Sequence, residues 1–158
     1  MIQAITETNL TTYLETEDNR IDTTVGSDKI RHLVKFINDM DKAVFYAYPS
    51  TEVPSDRYTE CQFIYNATPN MFSGQLKLTP AGYYKYEVYE VTWTGTVSVS
   101  ADNAPRSEDE VLPSDPDHGI VQGLVGIGKL YLAEKTGFQQ VQYLQHPEPS
   151  GTNYIYTG

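Results

Sequence analysis

The feature that most constrains this chain is a series of short apolar and aromatic runs with period-two alternation. Each run ends in a turn signal. Thr59 to Asn66 alternates, with Cys61, Phe63 and Tyr65 on one face and Gln62 and Ile64 on the other. Ala67-Thr-Pro-Asn70 then turns the chain. Phe72 to Thr79 sets Phe72, Gly74, Leu76 and Leu78 against Ser73, Gln75, Lys77 and Thr79. Pro80-Ala-Gly82 turns it again, and Tyr83 to Trp93 sets Tyr84, Tyr86 and Val88 against Tyr83, Lys85 and Glu87. Tyr89, Val91 and Trp93 share the parity of the charged set, so a β-bulge near Glu90 is expected.

Other segments extend the pattern. Ile30 to Asn38 is apolar on both faces, and Lys42 to Pro49 is rich in β-branched and aromatic residues. Asp39, Met40 and Asp41 suit a short hairpin connection between these two. Thr94 to Ser100 extends the ribbon after Trp93, and further strands are expected over Ile120 to Ala133, Phe138 to Leu144 and Tyr154 to Tyr156. No segment shows sustained helical periodicity with caps. About eight strands at regular spacing predict an all-β chain, an antiparallel β-sandwich or a partly open barrel. A chain of 158 residues fits one such domain.

Charge divides the chain unevenly. The formal net charge is −10 at pH 7. Residues 1–29 carry six acids and two bases, and residues 102–117 carry six acids and one base, so the remainder is nearly neutral. Residues 1–29 are also Thr-rich with few large apolar side chains, and they read as an extended arm ordered by a partner surface. Residues 30–158 read as the single β domain. The Pro-containing acidic run, 102–118, reads as an exposed loop inserted in that domain. This balance argues against a grip on nucleic acid, which needs clustered Lys and Arg, and against an anionic membrane surface. The N-terminus has neither the basic region nor the apolar run of a secretory signal, and no stretch has the length of a membrane-spanning helix. One Cys excludes an intramolecular disulfide and a Cys-rich zinc site.

Few motifs carry chemistry. Gly123-Leu-Val-Gly-Ile-Gly128-Lys129 has the spacing of a phosphate-binding loop. Leu130 stands where Ser or Thr would hold magnesium, and the residues after it read as strand rather than helix. A Gly-bearing strand is the expectation. Asp115-Pro-Asp117-His-Gly119 lacks the closing Glu of a calcium loop and reads as a solvated turn. His32, His118 and His146 are scattered, and Cys61 reads as a small core residue. Glu87 and Glu90 fall on opposite faces of a strand, unsuited to paired acid and base work. Asn9-Leu-Thr11 and Asn66-Ala-Thr68 match the glycosylation sequon by chance. The residues give no catalytic, metal or cofactor set, and a non-enzymatic chain is expected.

The strongest positive feature is aromatic. Tyr83, Tyr84, Tyr86, Tyr89 and Trp93 crowd one segment, and alternation turns some of these rings outward. Outward Tyr and Trp are typical of protein interfaces and also stack on sugars. Tyr13, Leu14, Tyr83, Tyr89, Trp93, Tyr154 and Tyr156 are therefore the candidate partner-contact residues. The Tyr154-Ile-Tyr156 tail is suited to adding a strand to a sheet edge, in this chain or in a neighbour.

Over about residues 30–100 the chain resembles small all-β virion proteins of tailed bacteriophages. The resemblance rests on RHLVKFINDMDKAVFYAY, RYTECQFIY and FSGQLKLTPAGYYKYEVYEV, with Gly74, Leu76, Leu78, Gly82, Tyr84, Tyr86, Val88, Tyr89 and Glu90 in the recurring strand pattern. It implies a structural role in a virion assembled in the host cytoplasm: a capsid auxiliary or decoration subunit, or a neck or tail component. Other virion subunits would be its partners, in a homo- or hetero-oligomer. A carbohydrate- or receptor-binding module on a fibre, using Trp93 and outward Tyr as a platform, is the competing expectation.

Overall fold

The structure is a computed structural model that describes residues 1–55 and 57–135. The expected strands at 138–144 and 154–156, and with them Tyr154, Tyr156 and His146, lie outside the described residues. Nine strands are present among those described: β1 (Ile2–Ile5), β2 (Leu10–Leu14), β3 (Ile30–Asn38), β4 (Val44–Ala47), β5 (Thr51–Pro54), β6 (Thr59–Tyr65), β7 (Gln75–Leu76), β8 (Gly82–Thr92) and β9 (Ile120–Ala133). Short 3-10 turns occupy Glu17–Asn19, Ser27–Lys29 and Met71–Ser73.

The strands form two sheets. One runs β1-β9-β8-β3-β4, and the other runs β2-β6-β5 with β7 also on β6. Neither closes into a barrel. Most pairs are antiparallel, but β1 joins β9 and β7 joins β6 in parallel, so the sheets are mixed rather than purely antiparallel. The two sheets share one core. Leu10 and Leu14 of β2 and Cys61 and Phe63 of β6 meet Val34, Phe36, Tyr84, Val88, Leu130 and Leu132 of the larger sheet. Phe36 and Phe63 touch edge to face across the gap, with ring centroids 5.8 Å apart.

An extended arm is not what residues 1–14 form. They supply one edge strand to each sheet. β2 alternates cleanly: Leu10, Thr12 and Leu14 point inward, and Thr11 and Tyr13 point out. An edge strand with one buried face needs only that alternation, and Thr suits a strand as well as Val does. Residues 15–29 contain no strand, but the Ile21 and Asp22 N–H groups are bonded to Glu90 of β8.

Three further expectations change. Phe72 to Thr79 is not a full strand. Asn70 caps a 3-10 turn by accepting from the Phe72 N–H at 3.0 Å, and only Gln75–Leu76 pair. Gly74 forces the break. Its φ is +75°, and a Cβ there would collide with the Ser50 backbone. Thr94 to Ser100 is not a strand either. The bulge does not restore the parity of β8, which pairs continuously with β3 from Asn38↔Tyr84 to Ile30↔Thr92. The register instead slips along β9, which places Val125 and Gln122 as the extra residues opposite Val88 to Val91.

The change of parity in β8 has another cause. The outer face of the larger sheet is covered by the segment 94–119, which forms a second core. Leu33, Tyr48, Val91, Trp93 and Ala104 are buried there, with Val97, Val99 and Val121 against them. β3 is apolar on both faces because it serves both cores: Val34 and Phe36 inward, Leu33 outward.

Candidate functional site

The acidic insertion lacks strand and helix, as expected, but it is fastened to the sheet. Tyr48 donates its hydroxyl to the Pro105 carbonyl at 2.6 Å, and Trp93 donates its indole N–H to the Asp117 carbonyl at 3.1 Å. Glu108 is the charged anchor. Lys35 Nζ lies 2.6 Å from its Oε2, and the Tyr46 hydroxyl donates to its Oε1 at 2.5 Å. Burial alone would push the Glu108 carboxyl up, but the Lys35 and Tyr46 hydrogen bonds hold it below the usual glutamate range. Lys35 is raised in turn, chiefly by Glu108. Burial, then the bond to Glu108, pushes Tyr46 up to about 12. Beside them Glu87 is held below its usual range first by the Tyr89 hydroxyl at 2.6 Å, and then by Lys85, against burial.

Polar groups of opposite role lie on the inner side of the same sheet. Glu90 is fully buried, and its carboxyl accepts from the Ile21 N–H at 3.2 Å and the Asp22 N–H at 2.8 Å. It ties residues 20–22 to the sheet. Directly across β3 stands His32, also buried. β4 pairs with β3 only over Val34 to Ile37, so the His32 N–H has no strand partner on that side. Glu52 of β5 takes its place, accepting from that N–H at 3.0 Å and meeting His32 Nδ1 at 2.7 Å. One carboxyl thus joins the two sheets. The expected opposite facing of Glu87 and Glu90 holds.

The remaining motif residues have structural placements. Gly123 to Lys129 is strand throughout, inside β9. Gly128 lies under the Tyr86 ring, where a Cβ would collide with the phenol. Asp117 accepts from the Thr96 N–H at 2.9 Å, and His118 Nδ1 lies 2.7 Å from the Pro113 carbonyl. Cys61 is wholly buried, which pushes its thiol up and away from the reactive thiolate. Among the described residues no group of three His, Cys, Asp or Glu is placed to hold a metal ion, and no helix is long and apolar enough to cross a membrane.

The contact candidates separate by burial. Tyr13 and Tyr83 are exposed, at 64% and 53%. Tyr83 stacks obliquely on Tyr131, centroids 4.8 Å apart. Tyr89 is half-buried among the carboxylates that hold the loop. Leu14 and Trp93 are core side chains, and the Trp93 ring, 0% exposed, offers no outward platform. The parity of Trp93 does place it on the outer face. The covering loop is what removes it from the surface, and nothing in the alternation announces that cover.

One open feature emerges only from the topology. β1 covers β9 over Leu130 to Ala133 alone, so Ile120 to Lys129 pair with β8 on one side and, among the described residues, with no strand on the other. Below it β2 pairs, among the described residues, only with β6. The two free edges flank a groove of about 420 Å³ lined by Tyr13, Leu14, Asn19, Tyr86, Val125 and Ile127. Leu124 and Ile127 stand exposed on its rim, at 49% and 59%. Among the described residues one side chain hydrogen-bonds the backbone of this part of β9, Asn19 donating to the Val125 carbonyl at 3.1 Å, and Ile21 lies against Gly123.

No protein-family model matches the chain, and no curated protein or solved structure matches it.

Proposed function

We propose that this chain is a non-enzymatic structural subunit of a tailed-phage virion, a β-sandwich that binds capsid subunits as an auxiliary or decoration protein. The observation that carries the reading is the open side of the molecule, where two sheets present edges unpaired among the described residues beside the exposed Tyr13, Leu124 and Ile127. Exposed strand edges with apolar rims are templates for another chain, and proteins that do not use them protect them. The resemblance over residues 30–100 supplies the virion setting. Its pattern residues Leu76, Tyr84 and Val88 lie in the shared core. The fastened loop keeps Asp102, Asp109, Asp115 and Asp117 exposed, which suits a particle exterior better than a surface packed against DNA.

Particles purified from the source culture test this. Mass spectrometry should find the chain in stoichiometric copy number, and immunogold labelling should mark the head surface. Labelling confined to necks or tails would replace the capsid assignment with the connector one. Absence from every particle fraction would overturn the virion reading.

A further inference from the structure

We propose that the seam between the β9 and β2 edges receives residues 138–144 of a second copy of this chain, so that copies assemble by exchanging C-terminal strands. The inference rests on the protein-binding reading of the open side and names the partner.

Three observations converge on this occupant. The first is the seam itself. A β-sheet edge with free N–H and C=O groups binds an extended segment through main-chain hydrogen bonds, and neighbouring pockets take alternate side chains. Here the edge is β9 before Leu130, and the pocket beside it reaches down to Tyr86 and Val88.

The second is the chemistry of the segment. Phe138-Gln-Gln-Val-Gln-Tyr-Leu144 has no charge, and Val141 and Tyr143 alternate with Gln140 and Gln142. On a strand Val141 and Tyr143 share one face with Gln139, and Phe138 and Leu144 share the other with Gln140 and Gln142, so either face sets two apolar side chains on a groove. Residues 136–158 contain no Lys or Arg and one acid, Glu148, in a chain of net charge −10. A stretch with no charge of its own approaches another copy with little like-charge repulsion.

The third is reach. Lys135 is held in place, its N–H donating to Thr6 Oγ1 at 2.8 Å. β1 occupies the edge of β9 over Leu130 to Ala133. To lie antiparallel along Leu124 to Leu130 of its own chain, the segment must bring Phe138 back past β1. That is a retreat of more than about 16 Å at strand rise, whereas three residues span at most about 11 Å. The full segment therefore fills a neighbour's seam and not its own.

Two full-length variants that each add one cysteine, Ile127→Cys and Val141→Cys, test this when mixed under mild oxidation. Cys61 is buried and does not compete. A strand seated in the seam raises the local thiol concentration, so the mixed disulfide should form at least about fivefold more than with Met40→Cys, an exposed control, in place of Ile127→Cys. Sedimentation of the unmodified chain should show concentration-dependent association, which Val141→Lys with Tyr143→Lys abolishes while far-ultraviolet circular dichroism is unchanged. A monomer at all concentrations overturns the proposal. So does a mixed disulfide no more abundant than the control, or a concentration-independent crosslink within one chain carrying both cysteines. A chain that stays monomeric yet is found in particles keeps the virion reading and removes only the exchange.

Discussion

Glu90 shows how much a single side chain carries here. It is fully buried, and among the described residues its carboxyl accepts from two backbone N–H groups, those of Ile21 and Asp22. Glu90→Ala should lower stability by about 1–3 kcal/mol, since an acceptor is lost at a buried position. The amides of Ile21 and Asp22 should exchange faster in that variant than in the parent, and unchanged exchange at both would contradict the tether. Gly74 carries a different constraint. Gly74→Ala places a Cβ against Ser50 in a left-handed conformation that alone costs about 1–2 kcal/mol, and the collision adds to it. Thermal unfolding should move down by several degrees, and an unchanged midpoint would show that the turn at Gly74 is built otherwise. The alternation of the sequence placed Cys61, Phe63, Tyr84 and Val88 correctly. It did not reveal Glu90 as a tether, because the group it holds lies 69 residues away in sequence.

At the scale of elements, the insertion between β8 and β9 behaves as a cover whose closure depends on charge. Glu108 and Glu87 lie below their usual pKa in the folded state. Such groups stabilise above the unfolded glutamate value, about 4.3, and that stability is lost as pH falls through the lower folded value. Lys35 is raised, so its contribution is complete below the unfolded lysine value, about 10.4, and disappears as pH rises through the raised one. Docking of the loop is therefore strongest between the two and weakens in acid. Trp93, the one tryptophan, lies beneath the loop and reports on it. Its emission should shift to the red in acid before the far-ultraviolet signal falls, and Glu108→Gln should weaken docking at neutral pH and flatten the acid step. Simultaneous loss of both signals in the parent chain would mean that the cover does not open separately. The acidity and lack of regular structure in this element were legible from composition. Its attachment was not, because Lys35, Tyr46 and Glu108 join three segments that no local pattern relates.

The whole molecule depends on its first strands more than their composition implies. Ile2 to Ile5 extend the β9 edge in parallel, and Leu10 to Leu14 extend the β6 edge antiparallel. The chain therefore crosses between layers within its first fourteen residues, and Leu10 and Leu14 fill the shared core from the second sheet. An arm that docks only on a partner would be dispensable to the isolated fold, whereas strands that build both layers are not. Leu14→Ala removes a side chain only 3% exposed, and substitutions of this kind cost about 2–5 kcal/mol, a large share of a domain's usual stability. Removing residues 1–14 strips one strand from each sheet and uncovers the β6 edge, so that chain should lose cooperative unfolding and aggregate. The amides of Leu10 to Leu14 should also be protected from exchange in dilute solution, with no partner present. A shortened chain that melts cooperatively within a few degrees of the full one, with those amides unprotected in the parent, would return residues 1–29 to the status of an arm and leave the core to the seven later strands.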